Sequence, residues 1–195
     1  MKRFKVIAAA LACSLASLAA AQDTAIYTNL LKTQIGRLEA RIGVVIIKGY
    51  GKLGSIPLGQ GQLSLRYKRS SDSSTGEKAY GLAITYETGQ YLPEIVYADD
   101  DEVDPLVQAV DYLGKLNYNE PSLPGCEASY TSKAGLRVIA HGDRIEGGFR
   151  TYLQFGDNPP IELSSMQMGQ LRNLIAQGRK NLAALKAGKP VPANQ

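Results

Sequence analysis

The chain has 195 residues, with 22 Lys and Arg against 18 Asp and Glu, a formal net charge of +4, no Trp, one His and two Cys. A chain this long suits one domain or two small repeats sharing a core. Removing Lys2, Arg3 and Lys5 with the leader described next leaves 19 cations against 18 anions, a net charge of +1, which gives no global field to attract nucleic acid or anionic lipid.

Residues 1–21 begin with those three cations, continue through an Ala-rich apolar run from Val6, and end in Ala19-Ala20-Ala21. This order predicts a secretory signal cut after Ala21 and an exported protein, periplasmic or secreted, that starts at Gln22. The run is short and interrupted by Ser14 and Ser17, so no membrane span is expected in the mature chain. Lipid attachment at Cys13 is the alternative, although Ala10-Leu11-Ala12 lacks the branched apolar residue of a lipobox. With Cys13 removed, Cys126 is alone and an internal disulfide is excluded.

Residues 22–41 read as an N-terminal helix, because Leu31, Ile35, Leu38 and Ile42 recur at four, three and four. Period two then takes over. Residues 42–117 read as four strands and a helix, with Leu63, Leu65 and Tyr67 on one side of a strand and Tyr80, Leu82, Ile84 and Tyr86 on one side of the next. The same order is expected over 118–186, followed by a flexible tail at 187–195. Laying Pro93, Ile95 and Tyr97 over Pro159, Ile161 and Leu163 gives a repeat offset of 66 residues. The fold class expected is α+β, two antiparallel four-strand-plus-helix units in tandem behind an N-terminal helix.

Gly49, Gly51 and Gly54 match the spacing of a dinucleotide-binding turn, which needs a helix to start at the glycines. The residues that follow, Ser55 to Gly61, include Pro57 and two more glycines and do not propagate one. Strand, turn, strand is expected instead, with the glycines permitting a bulge or a close approach of backbones, and no cofactor is assigned. The acidic stretch from Ala98 to Pro105 could hold calcium. It lacks the glycine and glutamate of an EF-hand loop, and Asp104 before Pro105 reads as the cap of a helix. Ser164 and Gln167 suit a capping box at the second helix.

Cys126 and His141 lie 15 residues apart and read as a partly buried thiol and a strand-surface imidazole, with no metal and no nucleophilic pair assigned. No G-x-S-x-G is present, and no catalytic residue is named. Candidate binding residues are Arg66, Lys68, Arg137, Arg150 and Tyr152, with His141 and Gln154 on the same alternating positions. If their strands share a sheet, that face is cationic and carries an aromatic ring. It is then either a solvated face or a surface for an acidic ligand or a protein partner.

The last helix carries Met168, Leu171, Ile175, Gly178, Leu182 and Leu185 at three and four. This narrow seam suits the chain's own sheet, the N-terminal helix, or a second copy in a homo-oligomer.

The order of elements over 42–186 resembles the tandem β-β-β-β-α modules of the Whirly and PUR-type families. The likeness is one of topology without a motif, so it implies single-strand nucleic-acid binding as a function and assigns no residue. The chain is also similar to uncharacterised exported bacterial proteins, which implies no activity. Taken with the near-neutral charge, these features lead to the expectation of an exported, non-catalytic binding or structural module. A carboxylate-dependent hydrolase is the alternative, and nucleic-acid binding is disfavoured.

Overall fold

Segments of period two pair here into two antiparallel sheets, each followed by a capped helix. The computed structural model describes residues 29–116, 125–143 and 148–191. The segment read as a signal peptide, with Cys13, the stretch 117–124 between the two expected units and the end of the expected tail at 192–195 lie outside the described residues.

A short helix, α1 (Gln34–Glu39), comes first, capped by the Thr33 side chain, which accepts from the Gly36 N–H. The first sheet follows in the order β1 (Ile46–Leu58), β2 (Gly61–Asp72), β3 (Lys78–Glu87) and β4 (Glu94–Asp99), leading into α2 (Asp100–Leu113). The second sheet is β5 (Gly125–Thr131), β6 (Leu136–Asp143), β7 (Gly148–Phe155) and β8 (Ile161–Leu163), leading into α3 (Ser165–Lys186). All pairings are between sequence neighbours and antiparallel. The α+β tandem expected from the sequence is the architecture found.

The glycine motif lies inside β1, so the expected turn at the glycines is replaced by one long strand that turns at Gly59. A bulge inserts Leu53 between Lys52, which faces Arg66, and Gly54, which faces Leu65. Two of the glycines admit neighbours: a Cβ on Gly51 would lie 2.2 Å from the Tyr67 ring, and one on Gly54 would lie 2.7 Å from the Leu174 side chain.

The helix start at the acidic stretch is corrected in the same way. Asp99 is the N-cap and forms a capping box with Glu102, while Pro105 lies within the helix. Asp100, Asp101 and Glu102 thus occupy the first turn, where negative charge favours the helix dipole. Ser164 and Gln167 form the box expected at α3.

These caps set the true offset of the two halves. Ser164 follows Asp99 by 65 residues, and core residues Val96 and Ala98 of β4 correspond to Ile161 and Leu163 of β8. The offset of 66 would align Ile95, on the opposite face, with Ile161, because a one-residue slip exchanges the faces of a strand.

The two halves do not have separate cores. Leu63, Leu65, Leu82 and Ile84 of the first sheet, Leu136, Val138, Leu153 and Phe155 of the second, Val103, Leu106 and Val110 of α2, and Leu171, Ile175 and Leu182 of α3 form one buried cluster. The helix of the second half packs mainly on β1, β2 and β3 of the first, whereas α2 touches β3, β4, β5 and β6. Gly178 makes the crossing close: a Cβ there would sit 2.6 Å from Leu82 and 2.9 Å from Leu53. The two helices are stapled by Arg172 to Asp111 at 2.6 Å, Arg179 to Asp104 at 2.8 Å and Lys186 to Asp100 at 2.5 Å. Those cations recur every seven residues, so they stay on one side of α3. Among the described residues no helix is long and apolar enough to cross a membrane.

Because each helix completes the core of the other half, the chain should unfold in one cooperative transition, with coincident midpoints by circular dichroism and calorimetry. Two separable transitions would mean that the shared core does not couple the halves. Gly178→Val should cost about 1–3 kcal/mol by overpacking Leu53 and Leu82, measured as a lower denaturant midpoint.

Candidate functional site

The candidate binding residues fall on two different sheets. Arg66 and Lys68 are on β2, whereas Arg137 is on β6 and Arg150 and Tyr152 on β7. The cationic face that would form if these strands shared one sheet is therefore divided, since period two gives the face of a strand but not the identity of its sheet.

On the second sheet the outward positions are brought together as the alternation requires. His141 lies between Glu127 and Arg150, Ile139 between Ser129 and Tyr152, and Arg137 between Thr131 and Gln154. Glu162 of β8 stands opposite Tyr152. The Arg137 guanidinium donates to Gln154 Oε1 at 3.0 Å and is 3.6 Å from the Glu127 carboxylate. Two carboxylates thus balance two guanidiniums, and the face is mixed rather than cationic. The two glutamates lie on β5 and β8, strands that carry no Lys or Arg. Cys126 pairs with Gly142, and His141 with Glu127, so thiol and imidazole point to opposite faces of the sheet.

On the first sheet part of the outer face is covered. The helix α1 lies across β2, β3 and β4, with Ile35 and Leu38 fully buried in a small cluster with Ala79, Ile46 and Tyr97 that is separate from the main core. Burying two such side chains contributes roughly 3–6 kcal/mol. Lys68 is only 8% exposed as a result. Its ammonium lies 2.7 Å from Glu39 Oε1 and 4.4 Å from the centre of the Tyr97 ring, and it donates to the Tyr97 hydroxyl at 3.1 Å. Glu39 also pairs with Lys48 at 3.1 Å and accepts from Tyr97 Oη at 3.3 Å and from the Ser70 hydroxyl. Burial pushes the Glu39 carboxyl up, but hydrogen bonds from Lys68, Ser70 and Lys48 outweigh it and hold the group below its ordinary value. Arg66 remains at the uncovered end, 5.5 Å above the Tyr50 ring.

Asp99 fastens the other end of α1. One carboxylate oxygen accepts from the Gln34 N–H at 2.7 Å, and the second from the Ile35 N–H at 3.2 Å. Beside it, Glu102 accepts from the Lys133 N–H at 2.7 Å and the Asp99 N–H at 3.3 Å. Burial raises the Glu102 carboxyl above its ordinary range despite these bonds. The oxygens of Asp99, Asp101 and Glu102 are close enough to hold a metal ion. The Lys133 ammonium stands there instead, 2.8 Å from Asp101 and 3.8 Å from Asp99.

A groove of about 400 Å³ lies between the end of α2, β7, β8 and the start of α3, and Glu162 is the one carboxylate in its lining. A carboxylate-dependent hydrolase needs two that converge on a cleft. Burial raises the carboxyls of Glu94 and Glu102, and Glu102, with its neighbour Asp99, accepts from backbone N–H groups. The C-terminal seam is likewise used within the chain, with Met168, Leu171, Ile175, Gly178 and Leu182 buried against the core. Leu185, the last residue of the seam, is half-buried and outside that cluster.

Compared with known protein families, curated proteins and solved structures, the chain matches none.

Asp99→Asn would place an amide NH2 against one of the two α1 N–H groups and remove a charge from two helix starts. The expected loss is about 2–3 kcal/mol, read by denaturant unfolding. A loss under half a kilocalorie would show that the junction is dispensable. Because the folded-state pKa of Glu39 is depressed, the stability it contributes is present above its ordinary value of 4.5 and is lost as pH falls through the lower folded value. Amide protection of α1 should therefore fall on acidification below pH 4.5 more steeply in the native protein than in Glu39→Gln.

Proposed function

We propose that the chain is an exported, non-catalytic binding module that offers the open outer face of its second sheet to a protein partner. One observation carries this reading: the outer face of the first sheet is partly closed by α1, whereas the second sheet keeps Arg137, His141, Arg150, Tyr152 and Gln154 together on a face that no described helix packs against. Tyr152 supplies a flat ring with a polar tip, the kind of side chain that anchors interfaces at small entropic cost. Glu127 and Glu162 among the arginines favour a surface of mixed charge over a polyanion, because complementary pairing needs both signs. Export rests on the character of residues 1–21.

Single-strand nucleic acid, suggested by the likeness of topology, is the weaker reading. Each phosphate neutralised adds about 0.7 to the salt slope, and two arginines offset by two glutamates supply little of it.

The test is retention of exported-fraction proteins from the native host on immobilised protein, compared with Arg137→Ala/Arg150→Ala/Tyr152→Ala. These side chains are outside the core, so the triple variant should keep its thermal midpoint within about 2 °C. It should lose, at least tenfold, whichever protein the native chain retains. Equal retention by both would sink the reading. Micromolar binding of an oligothymidylate with a steep salt slope would replace it with the nucleic-acid one.

A further inference from the structure

The contacts of α1 have the form of a bound ligand. A six-residue helix is too short to be helical alone, yet this one is recognised at both ends and in the middle. The Asp99 carboxylate receives the first N–H groups, Ile35 and Leu38 enter an apolar floor made with Ala79, Ile46 and Tyr97, and Glu39 is held by Lys48, Lys68, Ser70 and Tyr97 from three strands. An anion at the helix start and two cations at its end complement the helix dipole. The apolar floor is a satellite of the main core, so α1 can leave without opening that core.

We propose that the outer face of the first sheet is a peptide-docking cradle built from Asp99, Tyr97, Lys48, Lys68 and Ser70, and that α1 is its tethered, displaceable occupant. The ligand class follows from the occupant: a short segment able to form one helical turn or more, with two apolar side chains three apart and a carboxylate directly after the second, as in Ile35, Leu38 and Glu39. Beyond the end of α1 the cradle continues into the open pair Tyr50 and Arg66. A longer ligand with a second acidic or aromatic group gains a contact there that α1 does not make, and so can compete with a tethered rival. All the cradle residues belong to the first sheet, and the second takes no part in it.

The test uses the full-length protein and a labelled peptide with the sequence of residues 29–41, followed by fluorescence anisotropy. The native protein should bind it weakly, and Leu38→Ala/Glu39→Gln, which weakens the resident helix, at least tenfold more tightly. Adding Lys68→Met to that variant should abolish the gain, as should replacing glutamate by glutamine in the peptide. Equal binding by native and weakened proteins, or binding indifferent to Lys68→Met, overturns the proposal. A concentration-dependent dimer of the weakened protein without peptide binding overturns it too, assigning the cradle to α1 of a second copy. Should the variants fail to fold, hydrogen exchange on the native protein decides: α1 amides must exchange roughly 100-fold faster than those of Leu65 and Leu82, and equal protection would mean that α1 never leaves by itself.

Discussion

The carboxylate of Asp99 is the constraint on which the remaining arrangement depends. It ends β4, caps α2, receives the first amides of α1 and lies beside Lys133 in the turn between β5 and β6. A buried charge is tolerated only when it is paired and hydrogen-bonded, and each of those partners comes from a different part of the chain. Asp99 therefore fixes the N-terminal helix, the first sheet, the first helix and the second sheet relative to one another. The acidic run around it meets the chain's own basic side chains. Asp99 and Asp101 meet Lys133, Asp100 meets Lys186 and Asp104 meets Arg179.

The crossing of the helices follows from the size of each half. A sheet of four strands has one broad apolar face, and a single amphipathic helix covers only a stripe of it. Placing α3 on the first sheet and α2 against both sheets lets two helices cover the two inner faces jointly. Gly178 brings α3 close to Leu53 and Leu82. This geometry merges the halves into one core and places most of the α3 seam inside it.

The two outer faces then diverge. The second sheet leaves its polar alternation in solvent, with arginine and glutamate interleaved around Tyr152. The first sheet carries buried Lys68 and Ser70 on its outer side, residues that would be solvated but for α1. A lysine is rarely buried unless paired, and Glu39 is the partner that permits it. The contrast between a face held shut by the chain's own carboxylate and a face left open underlies both functional readings.

Local pattern determined much of this protein. Alternation assigned the strands and their faces, and Leu63, Leu65, Leu82 and Ile84 are core residues as their spacing indicates. Three-and-four spacing assigned the α3 seam, and Ser164 with Gln167 marked its start. These features are legible because they are set by neighbours a few residues away. Tertiary structure decided the features whose cause lies farther along the chain. Four aspartates compete for the cap of α2, and Asp99 serves because Lys133 and the α1 amides converge on it. Ile95 and Val96 are equally apolar, and only the shared core selects Val96 and thereby the offset of 65. Lys68 reads as a surface cation until α1, placed across the sheet by Asp99, brings Glu39 to it.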